Sequence, residues 1–233
     1  METQSKAKNV IIIVFVLLTV GAGAAGVYLS DQLYFKPLRE QRELVRNLKT
    51  LVERLTKDER QAEVSVIEQS SHRTKFKFAE FDEQGKPVGK PRDFELEGSE
   101  IYFDTLVIKF EENYKPLDEA MLKNPEIAQQ LVKKSIILFR RVFSEKQKPE
   151  DGSPLDVNGD SPVVYAGENP PSKAERELWA NFWKLANDAE LAKDHGVRAA
   201  HGQAVSMKLE NGKKYIIESR ASGELTIRPG VLK

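Results

Sequence analysis

A long uncharged segment near the amino terminus constrains this chain more than any other feature of its sequence. Residues 9–30 contain no Asp, Glu, Lys or Arg, and they are bounded by Lys8 and Asp31. A helix of this length rises about 33 Å, which is enough to cross the roughly 30 Å hydrocarbon core of a bilayer. Tyr28 then falls where aromatic residues concentrate at a membrane surface. The segment therefore predicts a single transmembrane helix, a signal anchor, which follows a short tail at residues 1–8.

The same segment also has the layout of a cleaved signal peptide, and the sequence leaves this alternative open. Lys6 and Lys8 precede the apolar run, and Ala22 and Ala24 form a small-x-small pattern where cleavage would remove residues 1–24. Apolar side chains continue beyond that point, which favours the anchor. The short tail favours a cytoplasmic amino terminus, with the rest of the chain outside the cytoplasm of a bacterial cell, where its lack of cysteine is ordinary.

Three glycines in this segment match a nucleotide-binding fingerprint. Gly21, Gly23 and Gly26 fit the pattern G-x-G-x-x-G, which cradles a pyrophosphate when a strand precedes it and a helix follows. The apolar run before Gly21 is too long for a buried strand, and no alternation of strands and helices follows. We interpret the glycines as small residues that let membrane helices approach closely, and no cofactor is predicted.

Residues 31–61 predict an amphipathic stalk helix. Its leucines step by 4, 3 and 4 residues, which is the a/d seam of a coiled coil. They are Leu44, Leu48, Leu51 and Leu55. The repeat covers only about two heptads, so two hypotheses remain. The stripe associates with a second copy or with a partner protein, or it packs on the chain's own globular domain.

Residues 62–233 predict a globular α+β domain that begins with strands. Polar and apolar residues alternate with period two, which indicates strands with one buried face. The expected strands form a four-stranded antiparallel meander, and Pro87 and Pro91 should keep the piece that leads into the third strand irregular or at a sheet edge. Their ranges are 63–69, 74–82, 92–96 and 101–110.

The second half of this domain predicts two longer helices and then more strands. Pro125 suits the first turn of a helix that would run to about Phe143. A capping box beginning at Ser172 would open the other helix, which would end near Lys193. Asn-Gly at residues 211–212 suits a type I′ turn. The expected C-terminal meander is therefore a hairpin of residues 203–209 and 213–220, followed by a strand at 224–228.

The connection at residues 144–171 is the best candidate for a binding surface. It has no periodic pattern and contains five of the eleven prolines. Long ordered connections of this kind are uncommon in compact domains and are often functional. Val163, Val164 and Tyr165 would give it apolar anchors, so we expect an ordered, exposed loop that presents contacts to a partner.

The same loop carries the one metal-like pattern of the sequence. Asp156, Asn158 and Asp160 begin like a calcium loop, but Ser161 and Gly167 stand where an EF-hand needs Gly and Glu. A looser calcium site is one interpretation, and the alternative is an acidic, solvated turn. Its ligands would be Asp151, Asp156, Asn158 and Asp160.

Neither the histidines nor the known catalytic motifs predict an enzyme. The six-residue spacing of His195 and His201 fits no regular pair of metal ligands, and neither a nucleophile elbow nor a phosphate loop is present. The 36 basic and 36 acidic residues balance, which argues against a nucleic-acid partner.

The layout therefore favours a single-pass membrane protein with an extracytoplasmic α+β domain. It is similar to that of non-enzymatic scaffold or interaction proteins of the bacterial cell envelope, although layout alone does not establish function. The alternative is a membrane-anchored or secreted enzyme, or a small-ligand-binding domain, with its site around the loop at residues 144–171.

Overall fold

The computed structural model describes residues 19–23, 25–55, 59–82, 84–167, 170–201, 204–220 and 224–231. The tail at 1–8 and most of the expected membrane segment lie outside these ranges. No helix within the described ranges is both long enough and apolar enough to cross a membrane. The chain is α+β, with antiparallel sheets and a helix towards its amino terminus.

The chain divides into two units, Met1–Asn47 and Leu48–Lys233. In the first unit the described residues up to 30 are helical, and a π-helical turn follows at Asp31–Phe35. Helix α1 (Lys36–Leu55) begins directly after this turn. Pro37, which lacks a backbone N–H, is the second residue of α1 and follows closely after the π-helical turn.

Two antiparallel sheets form the body of the second unit. The first sheet has the order β10-β9-β1-β2-β3. Its strands are β1 (Glu59–Gln69), β2 (Arg73–Phe81), β3 (Pro87–Glu97), β9 (Lys214–Arg220) and β10 (Leu225–Pro229). The second sheet has the order β6-β5-β4-β7, and β8 also pairs with β4. Its strands are β4 (Glu100–Phe110), β5 (Ser135–Ser144), β6 (Ser153–Pro154), β7 (Val197–His201) and β8 (Val205–Lys208).

The sheets pack face to face because their strands alternate in polarity. Val64 of β1 and Phe78 of β2 point inwards to meet Phe103 and Phe139 of the second sheet. The outer face of the first sheet carries cross-strand ion pairs such as Lys75–Glu95. Alternation of this kind is what places a sheet between a core and water.

Short helices and one longer helix complete the unit. They are α2 (Glu119–Leu122), α3 (Pro125–Ala128), α4 (Lys173–Asn187) and α5 (Ala189–Asp194). Phe182 of α4 packs edge-on against Phe110 of β4, with ring centroids 5.5 Å apart. The predicted start of α4 is confirmed, since Ser172 Oγ accepts a hydrogen bond from the Glu175 N–H. The reciprocal half of the capping box is not formed, and Glu175 Oε1 accepts from Arg54 Nη2. The helix stops six residues early because Asp188 is extended and caps α5 by accepting from the Leu191 N–H.

The predicted four-stranded meander is wrong at its fourth strand. β1, β2 and β3 pair in sequence, but β4 crosses to the centre of the second sheet. Strand β4 is buried on both faces, so it needs cover that the outer edge of the first sheet cannot give. Gly98, at a φ of +106°, turns the chain between the sheets.

The predicted helix from Pro125 to about Phe143 is also wrong. Only α3 and a 3₁₀ turn (Gln129–Leu131) are helical, and residues Ser135–Ser144 form β5. Periodicity cannot separate a buried strand from a buried helix in a continuous apolar run. Here β5 lies between β4 and β6 and is buried along most of its length, which accounts for the run.

The predicted C-terminal hairpin is wrong in both its turn type and its pairing. A tight turn lies at residues 210–213, with the Lys213 N–H donating to Glu210 O and Gly212 at a φ of +72°, but Asn211 lacks the positive φ that a type I′ turn requires there. However, β8 pairs with β4 while β9 pairs with β1 and β10, so the turn passes the chain between sheets. The expected last strand is confirmed as β10.

The carboxyl-terminal part of helix α1 packs within the second unit. Leu48, Leu51 and Leu55 are buried there, and Arg54 Nη2 lies 2.8 Å from Glu175 Oε1 of α4. Leu44, in the first unit, is half-buried. Packing on the chain's own domain thus describes three of the four leucines, and association through the stripe stays a prediction.

Replacing Asp118 by Asn tests the burial of a helix cap. Asp118 caps α2 by accepting a hydrogen bond from the Met121 N–H. Burial raises the pKa of Asp118 above its ordinary value; the hydrogen bond from the Met121 N–H opposes this rise, and the charge of Glu177 adds to it. The folded state therefore takes up a proton before the unfolded state as the pH falls, and ionised Asp118 costs stability at neutral pH. Asn caps equally well, so urea denaturation should show Asp118→Asn more stable than the wild type at pH 7.

This gain should shrink as the pH is lowered, because the wild-type carboxyl takes up its proton in the folded state before the unfolded state does. The matched control is Asp188→Asn at the exposed cap of α5. An equal gain in both variants, or a gain at Asp118 that does not change with pH, would contradict the account.

Candidate functional site

The connection at residues 144–171 is ordered where the structure describes it. It contains 3₁₀ turns at Pro149–Asp151 and Val163–Tyr165, with β6 between them. Of the three expected anchors, Val164 and Tyr165 are buried while Val163 is exposed. Two of these side chains therefore fasten the loop to the core, and presentation of contacts to a partner stays a prediction.

This loop completes the edge of β5 beyond the short strand β6. The Tyr165 hydroxyl accepts from the Ile137 N–H at 3.1 Å and donates to Ile137 O at 3.0 Å. Asp156 Oδ2 accepts from the Phe139 N–H, and the Asp156 N–H donates to Phe139 O, both at 2.7 Å. Side chains thus satisfy backbone groups that a neighbouring strand would otherwise bind.

A buried arginine joins this loop to both sheets. Arg60, at the start of β1, donates from Nη1 to Asp156 Oδ2 at 2.6 Å and to Ile137 O at 3.0 Å. Its Nη2 forms an ion pair with Glu80 Oε2 of β2. The guanidinium also lies over the ring of Phe139, 4.4 Å from its centroid.

Charges in this cluster balance once a second arginine is included. Arg92 Nη2 of β3 lies 3.9 Å from Glu80 Oε1, so two cations face two carboxylates. We call Arg60, Arg92, Glu80 and Asp156 the charge network. Pairing of this kind is what allows ionised groups to remain in an interior.

The pKa values of the buried groups follow from this arrangement. Burial alone would lower the pKa of Arg60, but Asp156 and Glu80 outweigh burial and raise it. Burial raises the pKa of Asp156, and Arg60 opposes that rise. Burial raises the pKa of Tyr165 to about 12, so its hydroxyl keeps the proton that it donates to Ile137 O.

A cleft of about 230 Å³ opens beside the charge network, between β3 and residues 155–163. Phe78 and Leu155 contribute apolar walls, and Glu80 lies at its buried end. Arg92 crosses one side, donating from Nη1 to Leu155 O with its guanidinium 5.4 Å from the Phe78 ring centroid. Lys90 and Asp160 stand exposed among its lining residues.

The wall formed by the loop is held from behind by α4. Trp183 Nε1 donates to Asp160 O at 2.9 Å, and Asn187 Nδ2 donates to Asn158 Oδ1 at 3.3 Å. Opposite this wall, Gly89 has a φ of +70°, and a Cβ there would come within 2.6 Å of Val163 Cγ1. Only glycine permits so close an approach, and the local register shift between β2 and β3 accompanies it.

Of the two outcomes expected for Pro87 and Pro91, irregular chain or a sheet edge, the structure shows the edge, since both prolines lie in β3, which ends the first sheet. Its prolines cannot donate hydrogen bonds to a further strand, which blunts that edge against uncontrolled pairing.

The four candidate calcium ligands do not gather in the structure. Asp156 points inwards to Arg60, and Asn158 Oδ1 accepts from Asn187. Across the described ranges, no group of three or more His, Asp or Glu side chains is placed to hold a metal ion. His195 caps α5, with Nδ1 2.8 Å from Lys115 O, and His201 ends β7.

Sequence reasoning found the loop but missed the residues that build the cleft. Arg60 fell at the end of the expected stalk helix, while Glu80 and Arg92 stood among many alternating charges. Arg60 pairs with Glu80, which is 20 residues away along the chain, and with Asp156, which is 96 residues away. No local sequence pattern reveals contacts over such distances.

Comparison of this chain with known protein families, with curated proteins and with solved structures finds no significant match.

Replacing Arg60 by Met tests the charge network. The variant leaves two buried carboxylates without their main cation, which costs about 3–5 kcal/mol when one partner of a buried pair is removed. Arg73→Met is the matched control, because Arg73 also pairs with two carboxylates, Glu68 and Glu95, but at the surface. Exposed pairs contribute about 0–1 kcal/mol.

Urea denaturation at pH 7 measures both free energies of unfolding. Similar losses in the two variants would mean that the interior position of Arg60 has no special importance. Restoration of part of the lost stability in the double variant Arg60→Met, Glu80→Gln would support the network, because it removes one of the stranded charges.

Proposed function

We propose that this chain is a non-enzymatic interaction protein of the bacterial cell envelope. Its amino-terminal segment anchors it in the membrane, and its α+β unit offers the cleft to a protein partner outside the cytoplasm. One observation carries this proposal: a long connection is fastened by buried hydrogen bonds, yet it leaves Val157 and Val163 exposed beside a cleft. A connection held this firmly and exposing apolar side chains is suited to binding.

The anchor rests on two features. Residues 9–30 carry no charge, and the described helical residues between 27 and 35 expose apolar side chains that water would not favour. These are Val27, Tyr28, Leu29, Leu33, Tyr34 and Phe35. A lipid bilayer and its interface would cover such a surface. Within this proposal, α1 associates with a partner only through its residues before Leu48, because Leu48 and the later leucines are buried.

The choice of interaction over catalysis rests on the state of the two buried acids at the cleft. An acid–base mechanism needs a carboxyl group that can exchange protons with a substrate. Glu80 and Asp156 instead both bind Arg60, whose permanent charge they neutralise. This engagement favours a structural role for both acids over the enzymatic alternative.

Site-specific photocrosslinking tests the proposal in cells. The full chain carries a benzophenone amino acid at Val157, and the control carries it at Ile67; both side chains are 55% exposed, and Ile67 lies on β1 away from the cleft. We expect the protein to remain in carbonate-washed membranes and to form one discrete, heavier adduct from position 157 only. A fully soluble protein, or adducts of equal yield from both positions, would contradict the proposal.

A further inference from the structure

The cleft matches a single large side chain in size. Its volume of about 230 Å³ lies below the range of roughly 300–1,000 Å³ that is usual for small-molecule sites. Phe78, Leu155 and Pro162 give it mainly apolar walls. A pocket of this size and polarity is typical of the places where one anchor residue of a partner protein is buried.

An unused acceptor lies at the buried end of the cleft. Glu80 is 6% exposed, and its Oε2 is taken by Arg60. No described residue donates a hydrogen bond to its Oε1, which lies 3.9 Å from Arg92 Nη2. A carboxylate oxygen in this position favours a ligand that brings a donor.

Charge decides what kind of donor fits. The charge network is already neutral, with Arg60 and Arg92 facing Glu80 and Asp156. An ammonium or carboxylate that reached the buried end of the cleft would add an uncompensated charge beside the neutral network, and burying an unpaired charge is unfavourable. A neutral N–H or O–H on an apolar body avoids that cost. Among side chains, the indole of tryptophan and the phenol of tyrosine combine these properties.

We propose that the cleft binds a tryptophan or tyrosine side chain of a partner protein. The aromatic ring lies against Phe78 and Leu155, and its N–H or O–H donates to Glu80 Oε1. This inference rests on the proposed interaction function and names the anchor that the partner must supply. The exposed charges of Lys90 and Asp160 flank the entrance, where they meet the backbone or the neighbouring residues of the partner.

Fluorinated fragments test the proposal with the full chain in detergent. 5-Fluoroindole is titrated and followed by fluorine NMR, and 5-fluoro-1-methylindole, which lacks the N–H, is titrated in parallel. We expect 5-fluoroindole to bind with a Kd of about 1 mM, as suits so small a ligand. The methylated fragment should bind about tenfold more weakly, because it leaves the buried acceptor unpaired and adds bulk beside it.

Two variants separate the cleft from detergent and from other surfaces. Val157→Asp should abolish the binding that depends on the cleft, and Ile67→Asp should leave it unchanged. Both side chains are equally exposed, so both variants should fold. Equal binding of the two fragments, or equal binding to the two variants, would overturn the proposal.

A second pair of ligands identifies the source of the aromatic ring. N-acetyltryptophanamide resembles a residue within a protein, whereas free tryptophan carries both charges. Stronger binding of the capped compound supports a partner side chain as the ligand, and stronger binding of the free amino acid overturns that assignment.

Crosslinking from Val157 without fragment binding would overturn only the aromatic anchor. Fragment binding without a crosslinked partner would instead contradict the proposed function.

Discussion

The guanidinium of Arg60 is shared by parts of the chain that are far apart in sequence, and the second unit is arranged around it. It pairs with Glu80 inside the first sheet, donates to Ile137 O at the edge of the second sheet, and binds Asp156 of the long connection. Removing each charge from water carries a large free-energy penalty, and only complete pairing with opposite charges and hydrogen-bond partners compensates for it. The relative position of these elements is therefore specified more strictly than apolar packing alone would require.

This arrangement explains how a long connection with little regular structure can form a fixed wall. The loop binds backbone groups of β5 through Asp156 and Tyr165, and α4 holds its far side through Trp183. Its apolar residues then divide, with Leu155 and Tyr165 buried and Val157 exposed. The cleft lies between this fastened wall and β3, whose pairing with β2 shifts register near Gly89.

The sequence predicted what depends on local patterns. Alternation identified β1 and β2, the serine cap identified the start of α4, and the prolines identified β3 as an edge. It failed where the outcome depends on distant partners. The run at Ile136–Phe139 reads equally as helix or strand until β4 pairs with it, and the turn at Gly212 fits a hairpin until β8 and β9 join different sheets.

The candidate site was likewise predictable only in part. Proline content and apolar residues identified the loop, including Val163, Val164 and Tyr165. The charge network could not be predicted, because an arginine near a helical pattern gives no sign that it will be buried between carboxylates. The acidic pattern at Asp156 suggested a calcium ligand, but the fold uses that side chain to bind Arg60 and the Phe139 N–H.

Hydrogen exchange of two backbone amides measures the central claim directly. The N–H groups of Ile137 and Phe139 face no neighbouring strand and are bonded only to the side chains of Tyr165 and Asp156. If the charge network fixes the loop, both amides should exchange only through global unfolding, with the same free energy as the Val64 N–H in the centre of β1. Exchange at the much faster rate of an exposed loop amide such as Gly159 would show that the loop opens independently and would contradict the account.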